Sequence, residues 1–475
     1  LNFFGNCFCV LRWIGLQKNK ITGGAYLQFF QVYFEGITAN TVLPGGILGG
    51  DLIRTVRISK YLSVKNYKDV SIRSIGLSVI LERIHGLWAL SFIGLVALNS
   101  ISYQSQALTL NPFYKQLFFL ILALVGFLIS FFTPKYIIHK YAYIIYGIGS
   151  LLVILPFLGN PHAGTYRWLN IGLPFNFQPS ELAKIFLVIA LARYLSDNSI
   201  KIQYFKSIII PIAIALIPVL IVLNQPDLGT SLVMLSVIFP MLYWAGARPF
   251  YLFLLVAPIL SILSAFSVIA FSIWAFLIAI IIYYSRTNII TSAGYFFGNI
   301  FFGLLARPLW DLLNPYQQNR VLTFIYPDKD PLGAAYQIIQ SKTAIGSGGL
   351  LGKGWGQGTQ THLKFLPVQE SDFILSVIGE ELGFLVIIVI LLIFAYLINN
   401  VIRYSYLSKD KFSSLILIGL GSIILAHVFV NTAMTVGLIP VKGLPLPFIS
   451  AGGTFLMTSY LMIGLIMRFS INYSD

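Results

Sequence analysis

Charge is scarce in this chain. Only 10% of its 475 residues are Asp, Glu, Lys or Arg, 57% are hydrophobic, and the mean hydropathy is +0.84. A soluble protein of this length needs far more polar surface to cover its core, so that class is excluded. Cysteine is nearly absent, and Cys7 and Cys9, close together near the N-terminus, cannot build a disulfide framework. Histidine is sparse as well: His362 and His427 stand isolated in the sequence, and no His/Cys cluster has the spacing of a structural metal site. There is no phosphate-loop pattern. No signal-peptide cleavage pattern follows Leu1, where the first residues are expected to be a cut end.

Long apolar runs fill the remainder. A helix crosses a bilayer in roughly 18 or more apolar residues, and repeated runs of that kind predict an all-α, polytopic integral membrane protein. Spans are expected near 24–41, 70–100, 113–133, 136–158, 180–195, 207–224, 228–245, 372–400, 412–438 and 446–468. The stretch 250–305 is too long for one crossing; Arg286 splits it, and three short helices near 250–265, 267–284 and 291–305 are expected. The net charge of +15 does not call for nucleic acid, because the basic residues cluster in short loops: Lys60, Lys65, Lys68 and Arg73; Lys135, His139 and Lys140; Arg193, Lys201 and Lys206; Arg403, Lys409 and Lys411; then Arg468. Short basic loops mark the cytoplasmic side, with membrane lipids as neighbours. The segments 159–178, 225–227, 306–371 and 439–445 then lie outside, and Arg307 and Arg320, at the edge of the large outer loop, are exceptions to the basic-inside pattern.

That outer loop is the largest polar interruption. Asp330-Pro-Leu-Gly-Ala-Ala-Tyr-Gln-Ile-Ile-Gln-Ser-Lys342 continues through Gly346-Ser-Gly-Gly349 to Glu370-Ser-Asp372. Long ordered loops are uncommon and tend to carry function. Gly346, Gly348 and Gly349 permit tight turns and close approach to a ligand. Three carboxylates, Glu181, Asp227 and Asp372, each sit at the start of a helix entered from outside, and so share one leaflet. Singly, each is explained by the helix dipole. Three at one depth point to a water-filled cavity. Glu181 and Lys184 are spaced i, i+3 on one helical face, as a buried ion pair or as groups that orient substrate or Asp227.

Specific motifs add a resemblance. Arg167-Trp-Leu-Asn-Ile-Gly172, Gln178-Pro-Ser-Glu-Leu-Ala-Lys184, Gln225-Pro-Asp-Leu-Gly-Thr-Ser231, the 330–349 run, Gly352-Lys-Gly-Trp355, Gly358-Thr-Gln360, Phe365-Leu-Pro367, Glu380-Glu-Leu-Gly383, Val430-Asn431 and Pro445-Leu-Pro-Phe-Ile-Ser450 occur in order over 86–475. In these the chain resembles the SEDS family (shape, elongation, division and sporulation), in its rod-shape branch. It departs where Ser450-Ala-Gly-Gly453 replaces the family's Ser-Tyr-Gly-Gly, and where 250–305 exceeds the single helix expected. Residues 1–85 instead resemble part of the membrane domain of lysylphosphatidylglycerol synthase and flippase-like proteins, through Leu43-Pro-Gly-Gly-Ile-Leu-Gly-Gly-Asp51, Arg54 and Leu81-Glu-Arg-Ile-His-Gly86.

The SEDS resemblance implies a peptidoglycan glycosyltransferase that polymerises lipid II, a disaccharide-pentapeptide on undecaprenyl diphosphate. The reaction would occur at the outer face of the cytoplasmic membrane, beside a class B penicillin-binding transpeptidase. It implies Asp372 as the essential aspartate and places Glu181, Lys184 and Asp227 in the central cavity. Such a reaction needs a base for the acceptor hydroxyl and positive charge for the departing diphosphate. Asp372, between a polar loop and an apolar helix, suits the base, although a helix cap from Asp372 or Ser371 is the plainer reading. Arg167, Lys342 and Lys353 are outer cations that either meet diphosphate or are simply solvated. Trp355 and Phe365-Leu-Pro367 read as interface anchors. No cofactor is demanded; a divalent cation bridging diphosphate and carboxylate stays open. The competing readings are a lipid or lipid II flippase, because intramembrane charges also mark transport paths, and an inactive scaffold.

Overall fold

The computed structural model describes residues 32, 72–103, 111–159, 165–169, 176–197, 202, 205–285, 288–312, 318, 322, 335–363 and 365–470, with backbone alone for 72–86, 205 and 206. The expected span 24–41, most of the segment 1–85 with its resemblance, Arg320 and Asp330 lie outside the described residues.

The described chain is helical. In order, α1 is Ile72–Tyr103, α2 Pro112–Phe132, α3 Lys135–Ile154, α4 Pro179–Leu195, α5 Phe205–Asn224 and α6 Leu228–Trp244. Then come α7 Pro249–Ser264, α8 Val268–Tyr284, α9 Ile289–Leu304 and α10 Ala306–Asp311. The outer region contributes α11 Tyr336–Gly348, α12 Thr359–His362 and α13 Ile374–Glu381, followed by α14 Phe384–Leu407, α15 Lys411–Thr435 and α16 Gly453–Ser470. Among the described residues, seven helices are long and apolar enough to cross a bilayer, and four shorter apolar ones accompany them. The helix starts follow local chemistry. Pro occupies the first turn of α2, α4 and α7, where its missing N–H costs nothing. Asn111 caps α2 and Asp410 caps α15 through side-chain bonds to backbone N–H groups.

The centre of the bundle is α15. It packs on α4, α6, α14 and α16, and its apolar window is 78% buried, against 17% for the helix containing α9. Around it, α2 lies along α16 and α3 along α4. The triplet α7, α8 and α9 packs mostly on itself and reaches the bundle where α7 meets α6. Its three helices fall where 250–305 was expected to divide.

Two expected spans are corrected. The run 372–400 is not one helix: α13 ends at Glu381 and α14 starts at Phe384, with Gly383 between them at φ 84. A Cβ at Gly383 would strike the backbone of Leu350 and Gly352, so the outer loop is packed into the break. The run 446–468 is helical only from Gly453, and 444–452 is a buried, turn-rich segment instead. The polar loop is likewise less loop-like than expected, since half of its motif forms α11. Its glycines serve that packing: Gly348 leaves room for the Gly379 carbonyl of α13, and Gly349 turns the chain at φ 58.

Candidate active site

Three groups of polar residues, around Asp227, Asp372 and Glu181, lie within electrostatic reach of one another. The first surrounds Asp227. Its Oδ1 accepts from Thr230 N at 3.2 Å, and its Oδ2 accepts from Thr230 Oγ1 at 2.8 Å and from Gln178 Nε2 at 3.1 Å. Asp227 is thus the N-cap of α6. Arg167 donates through an NH2 group to the Pro226 carbonyl, and its Nε stands 3.9 Å from Asp227 Oδ2. The capping role considered for Asp372 belongs to Asp227.

Asp372 occupies the turn before α13, whose N-cap is Phe373 and carries no side-chain cap bond. Ser371 Oγ donates to Asp372 Oδ1 at 3.0 Å. The other oxygen faces Gly443, where a Cβ would stand 3.3 Å away. The backbone around Asp372 is pinned from behind. Asn431 Nδ2, on α15, donates to the carbonyls of Asp372 at 2.9 Å and Leu444 at 2.8 Å. Ser450 Oγ donates to the Ser371 carbonyl at 2.5 Å, and Ala451 N to the Glu370 carbonyl at 2.8 Å. Burial pushes the Asp372 carboxyl up to about 6, aided by the negative charges of Glu370 and Asp227 and opposed by Ser371 and Arg167. Asp227 and Arg167 therefore lie within electrostatic reach of Asp372.

The third group is fully internal. Lys184 Nζ lies 2.8 Å from Glu181 Oε2 and 2.8 Å from His427 Nε2, with all three side chains buried. His427 Nδ1 is 3.2 Å from the Pro445 carbonyl, and the Phe455 ring lies against both His427 and Lys184. Histidine 427, isolated in the sequence, is thus the third member of the Glu181–Lys184 pair. No sequence signal placed it there, because 243 residues separate it from Lys184.

One expected cation, Lys353, is engaged elsewhere. Lys353 Nζ is paired at 2.8 Å with Glu380 Oε1. Burial alone would raise the Glu380 carboxyl; Lys353, the N–H groups of Gln360 and Thr361 and the Thr361 hydroxyl outweigh it and hold that carboxyl below the usual range. The pair organises α12. Lys342 is exposed on α11, with its side-chain end against Gly437 and no hydrogen bond or ion pair among the described residues. His362 also has a neighbour, with Nε2 3.1 Å from Glu381 Oε1, and Glu381 in turn accepts from Ser100 of α1 at 2.7 Å. Trp355 donates to the Val96 carbonyl of α1 at 3.1 Å, so it fastens the outer loop to a helix. Among the described residues, no group of three or more His, Cys, Asp and Glu side chains is arranged to hold a metal ion.

The family model for the cell cycle proteins FtsW, RodA and SpoVE matches residues 82–295 and 269–474. The peptidoglycan glycosyltransferase MrdB of Escherichia coli K12 is 36% identical over 328 residues, 69% of this chain and 76% of that protein. The probable peptidoglycan glycosyltransferase FtsW of Geobacter sulfurreducens is 34% identical over 324 residues, 67% of this chain and 74% of that protein. A chain from a peptidoglycan synthase complex, solved for the structural coordination of polymerization and crosslinking, superposes with TM-score 0.59 at 25% identity, covering 81% of this chain and 97% of that one. The rod shape determining protein RodA of Thermus thermophilus shares the fold, with TM-score 0.52 at 23% identity over 82% of this chain and 95% of that one. The fold is that of a polytopic, all-helical membrane protein. The chain belongs to the FtsW/RodA/SpoVE family, the SEDS family, as a multi-pass protein of the bacterial cytoplasmic membrane.

Proposed function

We propose that this chain polymerises lipid II into glycan strands at the outer face of the membrane, for elongation and rod shape, with Asp372 as the general base. The enzyme class is that of its relatives, the peptidoglycan glycosyltransferases. The observation that supports the role of Asp372 is its carboxyl, raised to about 6, with one oxygen that accepts no hydrogen bond from the described residues. A base poised near working pH is mostly ionised yet still takes a proton readily.

In the proposed step, the acceptor hydroxyl gives its proton to Asp372 as its oxygen bonds the anomeric carbon of the donor. The carbon–oxygen bond to diphosphate breaks, and undecaprenyl diphosphate leaves with the electron pair. Arg167, beside Asp227 and within electrostatic reach of Asp372, supports the departing negative charge, with Lys342 as a second, exposed cation. In this reading Asp227, Glu181 and Lys184 belong to the substrate site beside Asp372. Residues 86–475 are the polymerising domain in this reading, and 1–85 is a partial membrane segment whose end runs on into α1. The solved synthase complex that this chain resembles supports a transpeptidase of the class B penicillin-binding kind as partner.

The buried ion pair of α4 keeps a flippase as the second reading. Purified protein given labelled lipid II separates the two. Polymer on a gel supports the glycosyltransferase, whereas lipid scrambling without polymer supports the flippase.

A further inference from the structure

His427 is a buried titratable side chain for which the reaction above has no use. Its surroundings fix how it bonds. Lys184 Nζ is an ammonium, which can only donate, so at 2.8 Å His427 Nε2 must be the acceptor and carry no proton. A neutral imidazole then bears its proton on Nδ1, which faces the Pro445 carbonyl at 3.2 Å as a donor. One ring thereby joins two elements far apart in sequence. On one side is the Glu181–Lys184 pair of α4; on the other is the segment 443–450. That segment forms the wall of Asp372: Gly443 faces its Oδ2, Leu444 shares the Asn431 amide with the Asp372 carbonyl, and Ser450 holds the Ser371 carbonyl. Phe455 closes over both the imidazole and the ammonium, so neither can turn to another partner without unpacking that ring.

We infer that His427 is a positioning residue, bridging Lys184 to the segment that aligns Asp372, and that polymerisation needs both ends of this bridge. The inference rests on the polymerase reading above. A bridge has a distinctive signature: cutting either end costs as much as cutting both. Asparagine places an amide near the position of Nδ1 and can keep the bond to Pro445 only. Glutamine reaches the position of Nε2 and can keep the acceptor for Lys184 only. Phenylalanine keeps the ring packing and neither bond.

The test compares His427→Asn, His427→Gln and His427→Phe in the full chain, purified in detergent with labelled lipid II. Turnover and KM are measured beside the melting temperature. The expected result is a fall in kcat of about tenfold or more in all three, equal within about twofold, with KM little changed. Wild-type kcat in any variant, intermediate and additive losses in Asn and Gln, or losses that simply follow melting temperature would each overturn the bridge. If the Phe variant does not accumulate, unequal kcat values for Asn and Gln overturn it as well. Failure of the wild-type chain to make polymer would instead remove the polymerase reading.

Discussion

Both oxygens of Asp227 accept from protein donors, whereas Asp372 has Ser371 on one oxygen and an open glycine face on the other. That contrast gives the two carboxylates separate tests. Asp372→Asn keeps the size of the side chain but cannot take a proton, so polymerisation should fall by about 10²-fold or more while the protein inserts and still binds lipid II. Near-normal glycan synthesis by that variant on a gel would remove Asp372 from the mechanism and leave Asp227 as the next candidate. The raised carboxyl also sets a pH dependence. Below about 6 Asp372 is protonated and cannot act as a base, so kcat/KM should fall on the acid side of an apparent pKa near that value. The sign for stability is opposite. The folded chain holds this proton more tightly than the unfolded one, so this group's contribution to stability declines as pH rises from about 4 to about 6. A flat rate profile between pH 5 and 8 would exclude the base role. Inside the bundle, replacing either Glu181 or Lys184 with Ala leaves the other charge buried without its counter-ion, at a cost of about 3–5 kcal/mol. The double replacement should melt higher than either single one, and additive losses in a thermal-shift comparison would show that the two do not interact.

Helices α13 and α14 illustrate how one residue divides an apolar run. From Phe373 to Leu397 the sequence is hydrophobic enough to read as a single span, and the Glu380-Glu381 pair is its sole charged interruption. The helix nonetheless stops because those carboxylates are occupied by the outer loop and by α1, and Gly383 at φ 84 lets the backbone of residues 350–352 press into the gap. Gly383→Ala therefore combines a positive-φ, extended conformation that is essentially restricted to glycine, costing roughly 1–3 kcal/mol for a residue with a Cβ, with a backbone collision. It should lower the melting temperature and loosen the 350–361 segment, as read by limited proteolysis. An alanine variant as stable and as protease-resistant as the parent would mean that the loop does not need the break. The same reasoning explains α11. Its residues are polar and glycine-rich and so read as a loop, but docked on α13 they bury Ile338, Ser341 and Ala344 and form helix.

The folded body as a whole centres on α15, and its periphery includes the α7–α9 triplet, which touches the bundle along one helix. The Asp372 region is built from α13, α15 and the segment 443–450, with Asp227 and Arg167 nearby. None of these lies in 1–85. Deleting 1–85 is therefore expected to leave lipid II polymerisation largely intact, provided the truncated chain still inserts. A well-folded, inserted truncation that makes no polymer would show that the N-terminal segment takes part.

Hydropathy and charge are additive along the chain, which is why they were enough for the helical membrane class and the division of 250–305 into three helices. The motifs likewise pointed to the family and to Asp372. Partnership is not additive along the chain. Asp227 and Asp372 look alike as acidic residues beside apolar runs, and only packing determined that Thr230 and Gln178 occupy one while the other faces a glycine. Lys353 looked like a free outer cation until Glu380, 27 residues on, was placed against it. His427 looked solitary because both its partners, Lys184 and Pro445, reach it through the fold. A buried polar group must find a partner wherever the chain can supply one, and in a helical bundle that partner commonly lies on another helix, at a distance no local pattern records.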